Sequence, residues 1–166
     1  MYRKIVVPID GSVTAASGLD EAIKLAKLTG ARLRLVYVIE LINFTTCIET
    51  AGVYASDAIA VMTKSGEEIL ERARFHAAAS GITAETALLD NLSLRVSEQV
   101  IEQANAWKAD LIVIGTHGRR GVGRLMLGSD AEEIVRRAPV PVLVVRVPAA
   151  RGNETGKQSA PESVAS

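Results

Sequence analysis

The chain opens with a β-branched run, Arg3 to Ile9, in which no polar residue interrupts Ile5-Val6-Val7. Such a run fits a strand covered on both faces of a parallel sheet. Asp10-Gly11-Ser12 breaks it, and Ala15, Leu19, Ala22, Ile23 and Ala26 then recur at helical spacing up to Thr29-Gly30. Ser12 or Thr14 suits the start of that helix, and Gly30 suits the left-handed position just past its end. Ala31 to Ile39 reads as a second strand, and Glu40 to about Tyr54 as a loop with a short helical piece. A long helical pattern follows from about Ser56 to Ser80 through Ile59, Met62, Ile69, Ala73 and Ala77. Ile82 to Leu89 alternates, as a strand with one partly wet face does.

Ser93 to Trp107 places Val96, Val100, Ile101, Ala104 and Trp107 on one helical stripe. Asp110 to Ile114 is a very apolar strand, Thr116 to Leu127 a loop rich in glycine and arginine, Ser129 to Ala138 a short helix and Pro141 to Val147 a last strand. Strands and helices thus alternate through nine elements. That order predicts a single-domain, doubly wound α/β fold with a five-stranded parallel sheet and helices on both faces. The domain is expected over residues 1–148, with residues 149–166 a tail poor in groups to bury and expected to be disordered.

Composition removes several classes of function. Over 166 residues, 19 lysines and arginines balance 19 aspartates and glutamates. Bulk charge therefore gives no reason to expect a nucleic-acid coat or an anionic membrane as partner. Cys47 is the single cysteine, which rules out an internal disulfide and a cysteine-rich zinc site. The first apolar run is cut by Pro8 and Asp10 and is too short for a signal peptide, and no stretch approaches a bilayer span. A cytoplasmic location is expected.

In doubly wound sheets, ligands sit outside the carboxyl ends of the strands where the strand order reverses. The segment Gly115 to Ser129 carries five glycines and three arginines and runs straight into a helix. Glycines let backbone amides approach an anion, arginines add charge, and the helix start offers unpaired N–H groups. Standard nucleotide motifs fail here. Gly118 and Gly123 have the P-loop spacing, but Arg124-Leu125 stand where lysine and serine or threonine are required. The dinucleotide fingerprint fails as well, because Met126 takes the place of its third glycine.

Gly115, two residues, Gly118, nine residues, Gly128 and then Ser129 resembles the motif of the nucleotide-binding branch of the universal stress proteins. The opening Ile-Val-Val-Pro-Ile-Asp-Gly-Ser and the closing Arg-Arg-Ala-Pro-Val-Pro-Val-Leu-Val-Val are similar to that family too, so the likeness spans about Met1 to Val147. The resemblance implies a Rossmann-like fold of the adenine nucleotide α-hydrolase-like type, with strands 1 and 4 adjacent, and a homodimer through the last strand, Val142 to Val147. It implies ATP as ligand, with AMP or ADP as alternatives and Mg²⁺ carried on the phosphates. Asp10 would contact ribose or adenine with Pro8 beside it, and Val38 would meet adenine through its backbone. Gly115, Thr116, His117, Gly118, Arg119, Gly128 and Ser129 would hold the phosphates. One position departs: Asp130 stands where the family often has valine or threonine. Its carboxylate would repel a phosphate, help hold Mg²⁺, or point away.

Plainer readings stand beside these. Asp10 also suits a helix cap or an ordinary turn. His117 without an orienting partner is neither a metal site nor a general base, and the arginines also suit a solvated face. His76 reads as a surface or interface residue, Trp107 as core, Cys47 as inert, and Leu125 to Leu127 as packing under the loop. The residues thus suggest an ATP-binding stress-response regulatory protein acting through nucleotide-dependent conformation or partner binding. No catalytic and no metal-ligating set is visible. A slow ATPase or phosphotransfer enzyme is the first alternative, and a dimeric interaction module without nucleotide the second.

Overall fold

A computed structural model describes residues 1–40, 55–116 and 127–146. In chain order these form β1 (Lys4–Pro8), α1 (Val13–Thr29), β2 (Arg32–Val38), α2 (Ala55–Ala79), β3 (Ala84–Leu89), α3 (Val96–Trp107), β4 (Leu111–Gly115), α4 (Ser129–Arg137) and β5 (Val142–Val145). All five strands are parallel, in the order β3-β2-β1-β4-β5. The expected doubly wound sheet is therefore present, with β1 beside β4. The last strand is an edge and is shorter than the sequence pattern suggests, ending at Val145. The expected tail, the loop after Glu40 with Cys47, and Leu125 and Met126 lie outside the described residues.

Both faces of the central strands are covered, which explains their lack of polar alternation. Ile5, Val7, Leu33, Leu35, Tyr37 and Val113 pack under α1 and α2. Val6, Val36, Ile112 and Ile114 pack with Val100 and Trp107 of α3 and Ile134 of α4. In α2, Met62, Leu70, Ala73 and Ala77 are buried, while Ile59 is 40% exposed and turns out not to be core. Gly66 lies on the buried face instead: a β-carbon there would stand 2.7 Å from the Tyr37 ring. Ser12 caps α1 by accepting the Ala15 N–H at 3.1 Å, and Gly30 closes it in the left-handed conformation with φ of 70°.

The amino end of the sheet is tied by polar groups. The Asp110 carboxylate accepts the backbone N–H groups of Arg3 and Lys4, at 2.8 Å and 3.1 Å, and the Lys4 ammonium donates to the Trp107 carbonyl at 3.0 Å. The Arg34 guanidinium lies 4.7 Å from the Trp107 ring centre and donates to Gln103 at 2.9 Å and to Glu85 at 2.5 Å. Trp107 is thus core on one side and a platform for cations on the other.

The carboxyl end is arranged differently. β1 pairs with β2 up to Pro8↔Val36, yet pairs with β4 only at Ile5↔Leu111 and Val6↔Ile112. The cause is readable in the backbone. The Ile9 N–H donates to the Val36 carbonyl at 2.8 Å, so odd-numbered positions of this strand turn their N–H groups to β2. The N–H of position 8 would turn to β4, and proline has none. The ladder stops there, at the reversal of strand order, the place where doubly wound sheets form their crevice.

Candidate functional site

The β1–α1 turn forms one wall of the crevice. Asp10 accepts the Ser12 N–H at 2.9 Å through Oδ1, and Gly11 between them adopts a φ of 82°. The cap of α1 is therefore Ser12, while Asp10 shapes the turn that leads to it. The Ser12 and Thr14 hydroxyls lie 3.0 Å apart. Val38 ends β2 two residues past Val36, the partner of Pro8, so Pro8, Asp10 and Val38 share the carboxyl end of the sheet.

Gly115 and Thr116 form the facing wall. A β-carbon on Gly115 would lie 2.5 Å from the Thr14 carbonyl oxygen, so only glycine lets α1 start against β4. The Thr116 N–H donates to the Val145 carbonyl at 3.0 Å, and the Thr116 carbonyl accepts the Gly128 N–H at 2.9 Å. The glycine- and arginine-rich segment therefore leaves and returns at one point. His117, Gly118 and Arg119, together with Arg120 and Arg124, lie outside the described residues.

Gly128 is the N-cap of α4 and offers its first turn no side-chain acceptor; Ser129 is exposed in the first helical position. A helix start of this kind can offer backbone donors and a hydroxyl to an anion. The first turn also carries two acids, Asp130 and Glu132. The Asp130 carboxylate is turned to α3, where Oδ1 accepts the Ser97 N–H at 3.3 Å. The carboxylate is thus held on α3 rather than on the N–H groups of its own first turn.

Sequence patterns missed the α3–α4 junction. Ser97 is 1% exposed, and among the described residues its hydroxyl has no hydrogen-bond partner. Glu98 accepts the Arg95 N–H at 3.0 Å and lies 3.6 Å from Arg137 of α4. That backbone bond, and then Arg137, hold the Glu98 carboxyl below its ordinary range. The Arg95-x-x-Glu98 spacing carries half of a capping box, but arginine in place of serine or threonine hid it. Where the two helix starts diverge lies a cleft of about 570 Å³, with Leu92, Leu94 and Val96 on one side and Ser129 and Asp130 on the other.

Other expectations fall elsewhere. His76 is exposed on α2 and pairs with Asp20 of α1 at 2.6 Å. Among the described residues no group of three or more His, Cys, Asp or Glu side chains could hold a metal ion. No described helix is long and apolar enough to cross a membrane.

Known proteins match this arrangement. Residues 1–146 match the sequence profile of the universal stress protein family. A universal stress protein of Methanocaldococcus jannaschii is 34% identical over 149 residues, covering 89% of this chain and 84% of that protein. The solved universal stress protein UspA from Lactobacillus plantarum superposes with a TM-score of 0.73 at 24% identity, covering 87% of this chain and 98% of its own, a likeness of fold. A universal stress protein solved in complex with cAMP superposes with a TM-score of 0.65 at 25% identity, covering 87% and 97%.

Proposed function

The chain belongs to the universal stress protein family, and from that premise we propose that it binds an adenine nucleotide, ATP by its motif, and acts as a stress-response regulator. Nucleotide-dependent conformation or partner binding would carry the signal. Occupancy moves such an equilibrium only if the two states differ in affinity for the ligand.

One observation carries the reading. The β1–β4 ladder ends at Val6↔Ile112, and the ends of the glycine segment meet beyond it, Gly128 N–H on the Thr116 carbonyl at 2.9 Å. A crevice at the reversal of strand order, beside the start of α4, suits a nucleotide. The complex of a related protein with cAMP supports an adenine ligand. In this reading Pro8, Asp10 and Val38 face the nucleoside. Gly115, Thr116, His117, Gly118, Arg119, Gly128 and Ser129 face the phosphates, with Mg²⁺ riding on them. Efficient catalysis is not part of the reading, since among the described residues no positioned base is shown for Ser129. A cytoplasmic homodimer paired along β5 completes it, because an apolar edge strand invites a second copy.

Calorimetric titration of ATP and AMP into wild type and a Ser129→Ala variant tests the reading. Saturable binding to wild type that weakens in the variant supports it. No heat with either nucleotide, and no rise in melting temperature at a large excess of ligand, overturns it.

A further inference from the structure

Asp130 follows Ser129 in the first turn of α4 and lines the same cleft, and its carboxylate is held on α3. It is half-buried, and its Oδ1 is held on the Ser97 N–H at 3.3 Å. The same turn adds Glu132, which is paired with Arg136 at 2.9 Å, whereas among the described residues the Asp130 carboxylate is held by a neutral backbone donor. Around the cleft that Ser129 and Asp130 share, the carboxylates of Glu40, Asp130, Glu132 and Glu133 outnumber the guanidiniums of Arg95 and Arg136.

Building on the nucleotide reading above, we propose that Asp130 is a specificity determinant: its charge beside Ser129 weakens ATP relative to AMP. ATP brings two further phosphoryl groups, each with added negative charge, towards the same helix start. A half-buried carboxylate acts on them through a medium less screening than water. The bond to Ser97 keeps that carboxylate from folding back to cap α4 itself, so the N–H groups remain available to a phosphate while the repulsion persists. The arginines of residues 117–126 attract both nucleotides, but they act equally on wild type and on an Asp130 variant, so a comparison between these isolates the carboxylate.

The test is a set of dissociation constants for ATP and AMP, without Mg²⁺, in wild type, Asp130→Asn and Asp130→Val. Asparagine keeps an acceptor for the Ser97 N–H and valine does not, so agreement between the variants assigns the effect to charge, and melting temperatures report folding. The expected result is ATP binding tightened on the order of tenfold in both variants, AMP changed much less, and the gain shrinking as salt is raised. An ATP-to-AMP ratio that is the same in wild type and both variants overturns the inference and leaves the nucleotide reading intact. Weaker binding of ATP with Mg²⁺ in Asp130→Asn also overturns it, because the carboxylate would then serve the cation. Absence of binding by either nucleotide to all three proteins removes the nucleotide reading and the inference with it.

Discussion

The first turn of α1 crosses β4 so closely that a β-carbon on Gly115 would stand 2.5 Å from the carbonyl oxygen of Thr14. Gly18, one turn further along α1, packs on the same spot: its own β-carbon would meet the Gly115 nitrogen at 3.3 Å. The two walls of the crevice are thus locked together through backbone contact. Gly115→Ala must push α1 away from β4, and a loss of about 1–3 kcal/mol of stability is expected. Denaturant unfolding reads it directly, and nucleotide affinity should fall in the same variant.

Pro8 offers the converse test, because it removes a bond rather than a clash. Pro8→Ala restores an N–H facing β4, so the ladder is free to continue and close the crevice. The added hydrogen bond and the freer unfolded chain offset one another, leaving stability within about 1 kcal/mol of wild type. Nucleotide affinity should nonetheless drop on the order of tenfold, and titration beside an unfolding curve separates the two effects.

Much of this was legible in the sequence. The central strands show their double burial in Ile5-Val6-Val7 and in Leu111 to Ile114, and the alternation of elements gave the parallel sheet. Ser12 and Gly30 announce the ends of α1 because capping chemistry is local. What stayed hidden depends on contacts distant in sequence. Gly66 looks like a weak point in a helical pattern until Tyr37 is seen against it, and Ile59 carries the right period but faces outward. Of the site, Pro8, Asp10, Val38, Thr116, Gly128 and Ser129 were readable as strand and loop ends. The turn of Asp130 towards Ser97 was not, since that contact joins residues 33 positions apart on different helices.

Acid should weaken the sheet through Glu85. The hydrogen bond from Arg34, first among its neighbours, lowers the Glu85 carboxyl below its ordinary 4.5. A carboxyl lowered in the folded state stabilises fully above its unfolded value, and that contribution is lost as pH falls through the folded one. Denaturant midpoints should therefore hold from neutral pH down to about 4.5 on this account and decline below it. Glu85→Gln should decline less steeply. The pair is partly exposed, with 38% of the Glu85 side chain open, so added salt should shrink the difference.

That the crevice holds an adenine nucleotide is tested most directly by mass analysis of the small molecules released when the purified protein is denatured. Wild type is expected to release adenine nucleotide in stoichiometric amount, and a Gly118→Ala, Ser129→Ala double variant none. A wild-type protein that releases none, and whose melting temperature does not rise with added ATP and Mg²⁺, would contradict it.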